Sequence, residues 1–359
     1  MNNRNVVEAS FRENIRLERL VRSAVARMAL DLTGIRVLTE AATGPYAATV
    51  ALAALAGADE VWAITRNSQW GYASEIINNI EYFLERIGVQ QCVHFIDGDS
   101  SMAPSGCDLV TNLGFVRPID RVVISKLSHS AVVALMWEPW EFRPGEIDLE
   151  ALHQEDIPII ATAEQHAEVR TFDYIGPTIG RLLLEEGVEI VRSRLLLVGS
   201  DPFGESAATW LAAAGASVVR ASPMDWGRVA IEARNVGNGF DSLVLVEHRD
   251  HRMIIGSKDE RALAVLAKDG VPIIRLCGVV DSEIIRGSGC TISPDVAIRA
   301  GSMTVTTAYA GSRPVVDLHA AGLKAGSIVV RARQQGQSSQ EAVAAAIASG
   351  YGLAMESVE

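Results

Sequence analysis

Residues 194–222, RLLLVGSDPFGESAATWLAAAGASVVRAS, constrain the fold more than any other part of the chain. The apolar run 195–198 has the length of a fully buried parallel strand. Gly199 and Gly204 then punctuate a turn, 205–214 predicts a helix rich in small residues, and Gly215 closes it before a second strand at 217–219. Strand, turn, helix and strand make a βαβ unit. The unpaired N–H groups at the start of its helix face the carboxyl end of the sheet, where a phosphate or another anion can be held.

The turn departs from the dinucleotide fingerprint G-x-G-x-x-G. It reads Gly199-Ser200-Asp201-Pro202-Phe203-Gly204, with Asp201 where the middle glycine lets a backbone approach a pyrophosphate. A carboxylate there repels a phosphate unless it turns outward. Two readings stand side by side: a cofactor seat, or the tight turn that any doubly wound domain needs. The acidic residue expected ~20 positions on, for a ribose 2′-OH, is absent. Arg220 stands there, followed by Ser222, and this pair suits the 2′-phosphate of NADP better than NAD.

At 359 residues the chain is too long for one ordinary core, so two domains are expected. Hydrophobic content of 48% with only 6% aromatic is an alanine- and valine-rich α/β composition. A net charge of −12, with no basic run, argues against a nucleic-acid surface. Cys92, Cys107, Cys277 and Cys290 show no zinc spacing and read as isolated thiols of a reducing compartment. The opening MNNRNVVEASFRENIRLERL is polar and charged, so no signal peptide is expected, and no apolar run has the length of a membrane span. These features predict a soluble, cytoplasmic protein.

Helical periodicity over 9–32 puts Leu17, Leu20, Val21, Ala24, Val25, Met28 and Leu32 on one stripe, with Phe11 and Ile15 at its edge and Arg12, Arg16, Arg19 and Arg27 opposite. Strands are predicted at 35–40, 60–65, 93–96, 108–113, 131–136 and 157–161, with helices opening after the turn 41–45 and over 72–88. This alternation is the signature of a parallel sheet covered on both faces, Rossmann- or flavodoxin-like, over residues 1–170. A connecting helix is predicted over 172–190, interrupted by Gly176, Pro177, Gly180 and Gly187. The second Rossmann-like domain, 171–338, continues with strands at 243–246 and 272–276 and a helix over 259–269. Residues 302–309 fit a strand or a buried helix, and the terminal helix over 339–350 has the option of returning to the first domain.

Two parallel-sheet domains with the glycine turn in the second resemble the D-2-hydroxyacid dehydrogenase and adenosylhomocysteinase group. Thr171-Phe172-Asp173-Tyr174, then Val198-Gly199 and Gly204, stand where adenosylhomocysteinases carry their pre-NAD helix and glycine turn. The resemblance implies a cofactor on the second domain, substrate in an interdomain cleft, and homodimers or larger homo-oligomers. This chain departs from the group in two ways. No Thr-Pro-His segment supplies the dehydrogenases' catalytic histidine, and Arg220 replaces the aspartate for NAD ribose.

Ligands of open α/β sheets bind outside the carboxyl ends of strands, so reactive side chains are sought there. The strand at 131–136 delivers Trp137-Glu138-Pro139-Trp140-Glu141: either two rings that stack on a substrate beside an acid–base Glu138, or plugs of a domain seam with solvated glutamates. The strand at 157–161 delivers Glu164 and His166, spaced for an acid–base pair. The strand at 243–246 delivers Glu247, His248 and Arg249: a nicotinamide-ribose contact, a proton donor and a carboxylate clamp, or simply a charged surface turn. The strand at 272–276 delivers Cys277, a cofactor contact or a small buried residue. Thr43 and Gly44 of the first βα turn, with Trp137, Trp140 and Asp173, are candidate substrate contacts. His94, Asp97 and Asp99 are the only short cluster of ligand-like types, and no metal site is expected. Neither G-x-S-x-G nor a Walker A sequence occurs.

Three functions fit these features. The first is an NAD(P)-dependent oxidoreductase-like enzyme acting on a small polar substrate, with His166 or His248 handling the proton. The second is a transferase using S-adenosylmethionine or a nucleotide at either glycine turn, Glu40-Ala41-Ala42-Thr43-Gly44 being the other seat. The third is a non-catalytic ligand-binding protein on the same scaffold.

Overall fold

The computed structural model describes the backbone of residues 3–355 and side chains from residue 15 onward. Phe11 and Arg12 lie outside the described side chains. The chain divides into two units, Met1–Val169 with Gly311–Glu359, and Arg170–Ala310. The expected boundary at 338 moves to 311, because the segment after Ala310 belongs to the first unit.

In that unit, α1 (Asn3–Arg27) buries Leu17, Leu20, Val21 and Ala24, the stripe its periodicity predicts. There follow β1 (Arg36–Glu40), α2 (Ala48–Leu55), β2 (Glu60–Thr65), α3 (Ala73–Ile87) and β3 (Val93–Asp97). Then come β4 (Leu109–Thr111), α4 (Arg121–Ile124), β5 (Val132–Ala134), α5 (Leu149–Gln154) and β6 (Ile159–Thr162). The chain winds outward from β1 to β3 and then continues on the other side of β1, giving the order β6-β5-β4-β1-β2-β3 with every pair parallel. The strand order reverses between β1 and β4, which makes their carboxyl ends the switch point.

The second unit opens with α6 (Ile175–Glu185), a helix whose glycines are packing positions. A Cβ on Gly176 would meet the Trp210 side chain at 2.3 Å, and one on Gly180 would meet it at 2.8 Å. The elements β7 (Arg194–Val198), α7 (Pro202–Ala213), β8 (Ser217–Ala221), α8 (Trp226–Asn235) and β9 (Ser242–Val246) follow. After β10 (Met253–Ile255) come α9 (Glu260–Lys268), β11 (Ile273–Cys277), β12 (Val279–Val280), α10 (Ser282–Gly287) and β13 (Ile292–Ser293). The sheet runs β13-β11-β9-β7-β8, all parallel, with its switch point between β7 and β9; β10 and β12 pair separately. Residues 302–309 form neither a strand nor a long helix: Met303 makes one bridge to Cys277, and a 3-10 turn follows at Thr307–Ala310.

Back in the first unit, α11 (Ser312–Gln334) lies across β4, β5 and β6. A Cβ on Gly322 would meet Met136 Sδ at 2.5 Å, and one on Gly326 would meet Leu109 Cδ1 at 2.8 Å. α12 (Ser339–Ala348) packs on α11, and β14 (Gly352–Leu353) adds an antiparallel edge to β6. Among the described residues no helix is long and apolar enough to cross a membrane.

The tightest approach is at the β7–α7 turn. A Cβ on Gly204 would lie 2.5 Å from the Gly199 carbonyl oxygen, a backbone atom with no rotamer to yield. Gly204→Ala is therefore expected to cost roughly 1–3 kcal/mol of stability. Urea unfolding of the two chains measures this, and an unchanged midpoint would contradict the close approach.

Candidate functional site

The second unit's switch point is filled by its own side chains. Asp201 caps α7, its Oδ1 accepting from the Gly204 N–H at 3.0 Å. Its Oδ2 accepts from the His248 main-chain N–H at 2.9 Å and lies 2.5 Å from His248 Nδ1. Glu247, only 1% exposed, takes the Ser200 N–H and hydroxyl on Oε2, each at 2.9 Å. Its Oε1 accepts from the Arg249 and Asp250 N–H groups at 3.1 and 3.3 Å. Phe203 stacks on the His248 ring at a centroid distance of 3.9 Å and meets Phe172 edge-on at 4.8 Å. Burial resists ionisation of Asp201, but its hydrogen bonds to His248 and Glu247 outweigh it and hold the carboxyl well below its usual range.

A dinucleotide, the cofactor this fold implies, does not fit that turn. The Ser200 and Gly204 N–H groups, which would hold a pyrophosphate, are taken by Glu247 and Asp201. The same oxygens bear on a metal. Ligating atoms of Asp201, Glu247 and His248 lie within 4.8 Å of one another, yet all four carboxylate oxygens already accept protein N–H groups.

The remaining expectations for this turn change accordingly. His248 is 1% exposed beneath Phe203, so it does not serve as a proton donor to substrate. Glu247 meets Ser200, where a nicotinamide-ribose contact was expected. Cys277 lies fully buried in β11 with its thiol pushed far up by burial, a core residue and not a cofactor contact. Arg220 is exposed and donates to the Gly199 carbonyl at 3.4 Å, while the Ser222 hydroxyl donates to Asp225 at 2.9 Å. Asp173 is exposed and paired with Arg170 at 2.6 Å.

In the first unit the carboxyl ends of β5 and β6 bring three glutamates together. Glu138 is 6% exposed and accepts from Trp140 Nε1 at 3.0 Å, so the solvated-glutamate reading of this segment is overturned. Glu164, 4% exposed, takes the Glu138 main-chain N–H, and its carboxyl group meets that of Glu141. Burial first, then the neighbouring charges of Glu141 and Glu138, raise Glu164 well above the usual carboxylate range. Burial likewise raises Glu141 to about 7, against the pull of Glu164 and Arg143. Trp137 lies between Arg117 and Arg143, whose guanidinium carbons stand 5.1 and 5.6 Å from its ring. Its buried Nε1 has no hydrogen-bond partner among the described residues. The expected Glu164–His166 pair does not form: His166 packs its ring against Tyr351, tilted by 30° at a centroid distance of 4.1 Å, and accepts the Glu168 N–H on Nδ1.

At this unit's switch point Glu40 is 6% exposed and takes the Phe115 N–H at 3.0 Å. Burial raises its pKa, opposed by that hydrogen bond and by Arg117. The alternative seat for S-adenosylmethionine is thus also occupied by a carboxylate at its base. Thr43 and Gly44 are exposed and line a cavity of about 180 Å³ with Asn79, Tyr82 and Phe83.

No family model and no curated protein matches the chain. Solved structures do. A dipicolinate synthase from Bacillus subtilis matches over 85% of this chain and 99% of its own, at 11% identity and a TM-score of 0.52. The fold is that of the two-Rossmann dehydrogenase group. A dipicolinate synthase from Bacillus halodurans matches over 81% and 96% at 12% identity, with a TM-score of 0.49. An NAD-dependent formate dehydrogenase from Staphylococcus aureus, in complex with NAD, matches over 81% and 93% at 10% identity, with a TM-score of 0.38. At such identities the likeness extends to the fold alone, and the sequence resemblance holds at that level.

The glutamate cluster makes stability depend on pH with a definite sign. Glu141 has an ordinary value of 4.5 and a folded value of about 7, so the folded chain holds its proton more tightly than the unfolded one. Its contribution is full below 4.5, declines as the pH rises to about 7, and is constant above that. Glu141→Gln is expected to flatten the decline; unfolding free energies measured across the window test this, and parallel curves for the two chains would refute it.

Proposed function

We propose that the chain is an enzyme of dehydrogenase fold that moves a proton on a small polar substrate, with the ionised Glu141 taking the proton from a substrate carbon and the protonated Glu164 giving its own to the adjoining substrate oxygen. The observation that supports this reading is the meeting of two carboxyl groups, the buried Glu164 just beyond β6 and the half-buried Glu141 in the turn Pro139–Glu141 after β5. A carboxyl group titrating at about 7 is suited to proton transfer at neutral pH. Trp137 offers a buried Nε1–H to a substrate oxygen, and Trp140 offers a flat face for its carbon skeleton. The histidines are engaged with other groups, so the carboxyl pair takes the role expected of His166 and His248.

The dehydrogenase fold favours a second reading. In it the same pair handles the proton of a nicotinamide-dependent oxidation or reduction, with NADP preferred over NAD through Arg220 and Ser222. That reading requires the β7–α7 turn to open. On either reading the protein acts in the cytoplasm as a homodimer or larger homo-oligomer.

Proton NMR in D2O, with a panel of small 2-oxo and 2-hydroxy acids, separates the two. Washout of a C–H proton without nucleotide, slowed ~10²–10⁴-fold by Glu164→Gln, is the expected result. Turnover that appears only with NADP or NADPH would select the oxidoreductase. A Glu164→Gln chain that exchanges as fast as wild type, or no exchange under any condition, would remove the enzyme reading built on this pair.

A further inference from the structure

We propose that Asp201 and Glu247 are built-in occupants of the anion seat, so that the second unit binds no dinucleotide pyrophosphate, and that deleting both carboxylates opens that seat. In a βαβ unit the N–H groups of the strand–helix turn are the ones an incoming phosphate takes. Here the Ser200 N–H is held by Glu247 at 2.9 Å and the Gly204 N–H by Asp201 at 3.0 Å. The opposite wall of the switch point, the segment after β9, spends its His248, Arg249 and Asp250 N–H groups on the same two carboxylates. Each carboxylate thus bridges β7 and β9, as a bound anion would bridge them.

Charge works in the same direction. A pyrophosphate would enter a site where Asp201 is 9% and Glu247 1% exposed, and where burial strengthens like-charge repulsion. The glycines that shape the seat remain. A Cβ on Gly199 would meet the Val246 carbonyl oxygen at 2.9 Å, so the turn keeps the close backbone geometry of an anion-binding loop while its occupant is covalently part of the chain. Arg220, exposed beside the Gly199 carbonyl, supplies a cation at the rim. Neither Glu141 nor Glu164 of the first unit takes part, so failure here and failure of the catalytic reading are distinguishable.

The test is isothermal titration of the full-length chain with inorganic pyrophosphate, NAD and NADP. The wild-type chain is expected to show no saturable binding of any of the three. Asp201→Gly/Glu247→Ser, with its circular dichroism unchanged, is expected to bind pyrophosphate at least ~10-fold more tightly than wild type. Saturable NAD or NADP binding to the wild-type chain that pyrophosphate competes away would overturn the proposal. A folded double variant that still ignores pyrophosphate would overturn it equally. Should that double variant fail to fold, Asp201→Ser/Glu247→Ser also removes both carboxylates while leaving a hydroxyl to cap α7, and the same two outcomes decide for it.

Discussion

Buried carboxylates accepting main-chain N–H groups close the carboxyl ends of both sheets. Glu40 does so across β1 and β4, Glu164 across the loops after β5 and β6, and Asp201 with Glu247 across β7 and β9. Parallel sheets leave N–H groups unsatisfied where strands end and helices begin, and a buried donor without a partner costs free energy comparable to a lost hydrogen bond. Dinucleotide-binding units leave those donors to water and ligand. This chain answers several of them with side chains.

That solution has a consequence for protonation. Asp201 and Glu164 are both nearly inaccessible acids at the ends of parallel strands, yet they are driven in opposite directions. Around Asp201 the neighbours are N–H donors, an imidazole and the hydrogen-bonded Glu247 carboxyl group, which together favour the ionised form and outweigh burial. Around Glu164 the neighbours are two further carboxyl groups, which add their repulsion to the cost of burial. The first arrangement fixes a charge in place; the second keeps a proton that can move.

Much of the scaffold was legible in the sequence, because buried strands and small-residue helices carry local signals. The strand Glu60–Thr65 matches its expected range. The long helix α11 has no counterpart among the sequence expectations; Gly322 and Gly326, unfavourable in a helix by local propensity, are close-packing positions there, and Pro314 stands in its first turn. Glycines likewise interrupt the expected helix over 172–190, where in α6 they accommodate Trp210. The site was legible only as a set of strand ends. That Glu164 turns to Glu141 and not to His166, or that Glu247 reaches Ser200 47 positions away, depends on which strands become neighbours. No local pattern encodes that choice.

The division of labour between the units follows from the same physics. A charge pinned by several N–H donors is a good structural element and a poor reagent, because every hydrogen bond that stabilises the anion lowers its proton affinity. An acid held neutral by its neighbours is a poor structural element and a good reagent. It destabilises the fold as the pH rises, and it keeps its proton at the pH where a substrate would need it. A fold that retained Glu138, Glu141 and Glu164 solely for stability would gain from replacing one of them with an apolar side chain. The cluster's cost to the first unit, set against the pinned carboxylates of the second, is the physical reason for proposing Glu141 and Glu164 as the reactive pair.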